Sequence, residues 1–269
     1  MTQRAQLCPN CRRIIGSQES VCSWCGASRS NPWWRFVGLS RGASGSGWLL
    51  NGILVANIIY FVISVLLSAK VDGRGGLLSV GDNSLFLLGA TGTIPIDRYG
   101  RVWSLLTANY LHSGILHILF NMMALRQLGP WVAHEYGASR MFSIYTLGGI
   151  FSYAVSYAAG IPFTIGASGA VCSLIGALLY YGKSRGGVYG SSVYREVSGW
   201  VVGLFVFGLI FPGINNWAHG GGIVGGIIAG LLVGYSEKRP ETSLHHALAL
   251  LCIVVTLAGL GWGLFGARF

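Results

Sequence analysis

Apolar residues gather into seven long stretches along this chain, at about residues 48–69, 112–128, 141–159, 168–181, 197–211, 215–235 and 244–265, with polar segments between them. A helix rises 1.5 Å per residue, so about 20 apolar residues cross a bilayer core roughly 30 Å thick. The stretches therefore predict transmembrane helices, the fourth of them short. Residues 1–47 hold no such run; they are polar and rich in glycine. The pattern predicts an all-α integral membrane protein in four parts: a small module at 1–28, a linker at 29–47, a six-helix core at 48–235, and a loop with one additional transmembrane helix at 236–269.

The spacing of small residues adds a packing prediction. Gly222, Gly226 and Gly230 recur every four positions on the sixth stretch, and the fourth offers Gly169, Ala170, Cys172, Ser173, Gly176 and Ala177. Small faces let two backbones approach closely, so these two helices are expected to meet. Cys172 and Cys252 fall inside spans, where they are expected to pack as small apolar groups. Trp48, Tyr180, Tyr181 and Tyr235 fall near span ends and are expected to anchor at the membrane interface.

Composition agrees with the bilayer as solvent: apolar residues make up 52% and charged residues 10%, against about a quarter charged in a soluble domain. The net charge of +10 invites a nucleic-acid reading until its distribution is considered. With the N-terminus inside, every Lys and Arg except Lys70, Arg74, Arg98, Arg101 and Arg268 falls on the inner side. That asymmetry is the positive-inside rule, so the charge reports topology: N-terminus cytoplasmic, C-terminus outside, in what is expected to be a prokaryotic plasma membrane. No secretory leader is expected, because the first 47 residues lack its compact basic and apolar regions.

Within the arm, Cys8, Cys11, Cys22 and Cys25 form a C-x2-C-x10-C-x2-C array. Paired thiolates on two tight knuckles suit a closed tetrahedral zinc site, and a reducing cytoplasm disfavours the alternative of two disulfides. Over about residues 6–28 the arm resembles a zinc ribbon, implying a structural zinc and a protein or nucleic-acid partner that the sequence does not name. Residues 28–47 combine Ser, Gly and Arg with Trp33, Trp34 and Phe36. They predict either a linker resting its aromatics at the inner interface or a small packed turn.

Polar groups inside apolar helices are costly, so each is a functional hypothesis. All eight acidic residues (Glu19, Asp72, Asp82, Asp97, Glu135, Glu196, Glu237 and Glu241) fall in the arm, in loops or at helix ends. Their placement removes an aspartyl intramembrane protease and a Ser-His-Asp triad, and counts against proton-coupled transport. His134-Glu135-Tyr136-Gly137-Ala138 lacks the second histidine of a zinc-protease helix. A transporter or channel would need a continuous polar path, whereas the remaining polar groups cluster near one side.

Those groups are His112, His117, Asn121, Ser168 and His219. Ser168, in Gly166-Ala167-Ser168-Gly169, stands at a helix start, where unpaired backbone N–H groups can receive an oxyanion and flanking glycines admit another backbone. A serine there also suits an ordinary helix cap. Its helix runs inward to about Lys183, and that of His219 to about Glu237, which puts both groups roughly 22–27 Å above the cytoplasmic edge. An imidazole at matching height supplies the base a serine nucleophile needs. His117 and Asn121 lie four apart on one face at a similar level; both can donate to an oxyanion, or they form a buried polar clamp. His112, about 140° round from His117, is expected at the outer helix end, in a supporting role. Catalysis calls for no cofactor.

These residues resemble the rhomboid family in three motifs, in family order: His112-x4-His117-Ile118-Leu119-Phe120-Asn121, then Gly166-Ala167-Ser168-Gly169, then Ala218-His219-x2-Gly222-x3-Gly226. The match covers about residues 48–235, and a seventh helix is a known variant. The resemblance implies an intramembrane serine endopeptidase with a Ser168–His219 dyad. It would cut membrane-embedded protein substrates at small residues near the outer leaflet, behind a fifth-helix gate and a flexible loop before the sixth helix. Trp103-Ser104 departs from the family's usual Trp-Arg, with Arg101 two residues earlier, and Glu135 stands two beyond the position where a Glu is usual. The alternative is a catalytically silent relative that binds transmembrane segments; such proteins typically lose the serine or histidine that this chain keeps.

Overall fold

The computed structural model describes residues 5–7, 14–16, 47–73, 76–211 and 213–266. In the N-terminal arm, β1 (Ala5–Leu7) and β2 (Ile14–Gly16) pair antiparallel, with Ala5 opposite Gly16 and Leu7 opposite Ile14. Cys8, Cys11, Cys22 and Cys25, expected to hold zinc, and residues 29–46 of the linker lie outside the described residues. From residue 47 onward the protein is helical. Among the described residues the long helices are α1 (Gly47–Val71), α4 (Ile115–Tyr136), α5 (Ala138–Ala158), α6 (Ser168–Arg185), α7 (Gly187–Ile210), α8 (Asn216–Val233) and α9 (Ser243–Gly266). Short helices α2 (Asp82–Leu88) and α3 (Ser104–Thr107) lie in the segment between α1 and α4, with a π turn at Ile94–Arg98 and a 3-10 turn at Ala108–Tyr110.

Among the described helices, α1, α7, α8 and α9 are long and apolar enough to cross a membrane by length and composition alone. The other three are of similar length but less apolar, and for α5 and α6 the reason is enclosure. α6 sits against α4, α5, α7 and α8 and is buried along most of its length, as is α5. A helix surrounded by helices meets protein rather than lipid, so glycine, serine and tyrosine can replace the long apolar side chains that lipid demands.

The most extensive helix contact joins α6 to α8, as the small faces predict. A Cβ at Gly226 would collide with the Ser173 carbonyl oxygen, and one at Gly222 with that of Gly169. Cys172 and Cys252 are buried, as expected.

Several boundaries and assignments differ from expectation. The second long helix starts at Ile115 rather than 112 and continues through Pro130 to Tyr136. Proline removes one backbone N–H from such a helix, but Leu128, Gly129, Val132 and Tyr136 are buried around it and Tyr136 Oη donates to the Ala177 carbonyl (2.8 Å), so packing carries the helix onward. The fifth begins at Gly187 rather than 197, and its buried residues, Gly190, Val193 and Val197, all lie in its first half. Tyr181 and Tyr235 are not interfacial anchors: both are buried, with ring centroids 4.9 Å apart in an edge-to-face contact, and Tyr136 packs 6.2 Å from Tyr235.

The seventh long helix is bound at both ends. Near its C-terminal end, Tyr60 Oη of α1 donates to the Leu88 carbonyl (2.8 Å) and lies 3.3 Å from that of Leu260, sharing its one proton between them. Near its N-terminal end, the buried Arg140 of α5 donates to the carbonyls of Tyr136 (3.1 Å), Arg239 (3.0 Å) and Pro240 (2.8 Å). The Arg140 N–H in turn donates to Glu241 Oε1 (3.1 Å). Arg101 holds the first loop by donating to the Phe86 carbonyl (2.6 Å) and lying 4.1 Å over the Phe86 ring, while Ser104 Oγ bonds Thr91 Oγ1 (2.9 Å). The displaced Glu135 is buried and accepts from Tyr189 Oη (2.6 Å), linking α4 to the start of α7.

Candidate active site

Ser168 is the first residue of α6, and the cap position before it belongs to Ala167, with no side-chain cap bond. Its hydroxyl is therefore free of the capping role that a serine at a helix start usually takes. Before it, Gly166 has φ +125°, a region closed to most side chains. That conformation is fixed from two sides: the Gly166 N–H donates to the Ala108 carbonyl (2.9 Å), and its own carbonyl accepts from Tyr153 Oη (2.6 Å). Two residues earlier, Thr164 exchanges both backbone hydrogen bonds with Thr91 (2.8 and 3.1 Å), joining this loop to the segment after α2.

His219 lies in the first turn of α8. Its Nε2 stands 2.9 Å from Ser168 Oγ, 51 residues away in the chain. Both residues are half-buried. For the hydroxyl to donate to Nε2, the neutral ring carries its proton on Nδ1. That nitrogen is buried and has no hydrogen-bond partner among the described residues, so beyond the contact with Ser168 it is packing that orients the ring.

His117 Nδ1 accepts from the Ser113 N–H (3.3 Å) and lies 3.1 Å from the Ser113 hydroxyl. With Nδ1 an acceptor, the neutral ring's proton resides on Nε2, which becomes a donor. Nε2 borders Gly166: a Cβ placed there would lie 2.8 Å from it and 3.7 Å from Ser168 Oγ. The donor and the hydroxyl thus face one small space. Asn121, buried one turn further on, donates one amide N–H to the His117 carbonyl (2.9 Å), so only its second N–H remains for another acceptor. Gly169 faces α5, where a Cβ would collide with Ser152 Oγ.

His112 is not at a helix end. It precedes α4, is fully buried, and sets its ring edge-on to that of His117, with centroids 5.0 Å apart. Ser113, Tyr153 and Asn215 were not singled out from the sequence, although all three hold the site. Only Asn215 carried a local signal, as a residue of the type that caps helix starts.

The arrangement places an alcohol against an imidazole, beside unpaired first-turn N–H groups and a histidine donor. Residues 99–236, about half of the chain, match the Rhomboid domain model. Among similar proteins, Rhomboid protease GluP of Bacillus subtilis (strain 168) is 29% identical over 214 residues, spanning 80% of this chain and 41% of its own length. RHOMBOID-like protein 4 of Arabidopsis thaliana is 28% identical over 244 residues, spanning 82% and 59%. RHOMBOID-like protein 1 of the same plant is 28% identical over 260 residues, spanning 81% and 66%. The chain thus matches less than two thirds of each of these relatives. With its apolar helices, this integral membrane protein belongs to the rhomboid family.

Proposed function

We propose that this protein is an intramembrane serine endopeptidase that cleaves transmembrane segments of other proteins near the outer leaflet, with Ser168 as nucleophile and His219 as general base. The observation that carries the reading is the 2.9 Å separation of Ser168 Oγ and His219 Nε2 across two helices, within hydrogen-bond reach for proton transfer. His219 takes the hydroxyl proton as Oγ attacks the scissile carbonyl. The oxyanion that forms lies against the Ser168 N–H, His117 Nε2–H and the second N–H of Asn121. Collapse expels the amine, which leaves with the proton held by His219; water then attacks the acyl carbon and gives a proton to His219, which passes it to Ser168 Oγ as the acid leaves. In the orientation expected from charge, with the N-terminus inside and the C-terminus outside, the site faces the outer leaflet. The exposed second half of α7 supports entry of a substrate segment from the bilayer on that side.

Ser168→Ala and His219→Ala are each expected to abolish cleavage of a transmembrane reporter while the protein still expresses and folds; retained cleavage in either variant overturns the dyad. Labelling by a fluorophosphonate that disappears in Ser168→Ala separates an enzyme from a silent binder of transmembrane segments.

Zinc held by Cys8, Cys11, Cys22 and Cys25 is proposed for the N-terminal module. It gains support from the β1–β2 pairing, because the segment linking those strands carries Cys8 and Cys11. Such a metal folds the module and takes no part in cleavage. Elemental analysis of the purified full-length protein should find zinc stoichiometric with the chain and lost in a Cys8→Ser, Cys22→Ser double variant.

A further inference from the structure

Asn215 stands where three elements meet. Its Oδ1 accepts from the Ala218 N–H (3.0 Å) and caps α8. Its Nδ2 donates to Ser156 Oγ on α5 (2.6 Å) and to Thr164 Oγ1 in the loop before Ser168 (3.0 Å). Its own carbonyl accepts from the His219 N–H (3.1 Å). An amide side chain has two N–H donors and one carbonyl acceptor, and all three functions are in use. Capping alone would be served as well by serine or aspartate; neither offers two donors of this reach.

We propose that Asn215 is a positioning residue that clasps the helix end carrying His219 to the loop carrying Ser168, and so sets the separation of base and nucleophile. The proposal rests on the dyad reading. Elsewhere α8 meets α6 mainly through small residues, whose contacts are close but not directional. They bring the axes together without fixing how far α8 sits along them. The three hydrogen bonds of Asn215 supply that missing coordinate. Their far ends are firmly held: Ser156 is fully buried, and Thr164 is paired with Thr91 through the backbone. Asn215 also lies just beyond α7, whose second half is largely exposed.

Three variants of the full-length protein test this against Ser168→Ala in the reporter assay. Asn215→Ser keeps a capping oxygen but cannot reach both hydroxyls, whereas Ser156→Ala with Thr164→Val removes the partners and leaves Asn215 in place. The third combines all the changes. A displacement of about 1 Å in a catalytic pair can cost on the order of 100-fold. The first two variants are therefore each expected to lower kcat by about 10- to 100-fold, with KM little changed and the rate of fluorophosphonate labelling of Ser168 lowered in parallel. The combined variant should lose no more than either, since one contact has been removed from both ends. Should one of the first two fail to fold, the other decides. A kcat within about twofold of the parent, or losses that multiply in the combined variant, overturns the clasp. Cleavage retained by Ser168→Ala overturns the dyad itself, whereas an inactive Ser168→Ala beside fully active Asn215 variants overturns only the positioning.

Discussion

At Gly166 two demands fall on one residue. The backbone there holds φ +125°, and the space a side chain would fill is taken by His117 Nε2, 2.8 Å from a built Cβ. Gly166→Ala is expected to cost about 1–3 kcal/mol of stability through backbone strain. It should also push the His117 ring away from Ser168, so that kcat for a reporter falls by about 10-fold or more. Thermal unfolding measured beside kcat distinguishes the two effects, since a merely structural glycine would lower the unfolding midpoint and leave kcat per folded molecule intact. Ser168 and His219 were legible from chemistry, because the absence of any mid-membrane carboxylate left serine and histidine as the workable pair. Asn215 was not, because a cap-type residue at a helix start gives no sign of which side chains on other elements it will meet. The spacing of His117 and Asn121 was right for a shared face, yet it could not show that Asn121 gives one N–H to the backbone. The ring contact of His112 depends on α4 starting three residues later than the apolar run suggests.

Among the elements, the contact between α6 and α8 is the one on which the site depends most directly. A side chain at Gly226 would meet the backbone of Ser173, which cannot swing aside. Gly226→Val should therefore separate the two helices, at a cost of about 1–3 kcal/mol or more from overpacking. Cleavage and fluorophosphonate labelling are both expected to be lost, because a widening at Ser173, five residues along α6 from Ser168, lifts His219 from Ser168. Gly220, with nothing within 4 Å of an added Cβ, is the control: Gly220→Ala on the same helix should leave labelling unchanged. Each apolar run overlaps a long helix of the described residues, and the four-residue recurrence of glycine identified which two meet. Helix ends were less legible because tertiary partners set them. Tyr136 extends α4 past Pro130 by reaching Ala177, and the early part of α7 is held by Gly190, Val193 and Val197 in a stretch too polar to announce itself as a span.

Over the whole molecule, the seventh helix is joined to the rest through polar contacts that hydropathy cannot reveal. Arg140 is the hub: fully buried, it serves three carbonyls with a planar fork of donors. Arg140→Met should leave those acceptors without partners and lower stability by about 1–3 kcal/mol. Arg140→Lys should recover little, since an ammonium lacks the fork. Because the site lies at the other end of α6, kcat per folded molecule is expected to hold in both variants, with the loss confined to the unfolding midpoint in detergent.

Glu241 gives this link a consequence for biosynthesis. The start of α5 receives a carboxylate from a residue 101 positions downstream, where most helices take their cap from the residue next to them. While the chain is being made, α5 enters the bilayer with that end unfinished and stays so until the segment after α8 has been translated. The loop before the last helix therefore completes an earlier helix, and a ribosome stalled before residue 241 would leave the bundle open at the end where α5 begins.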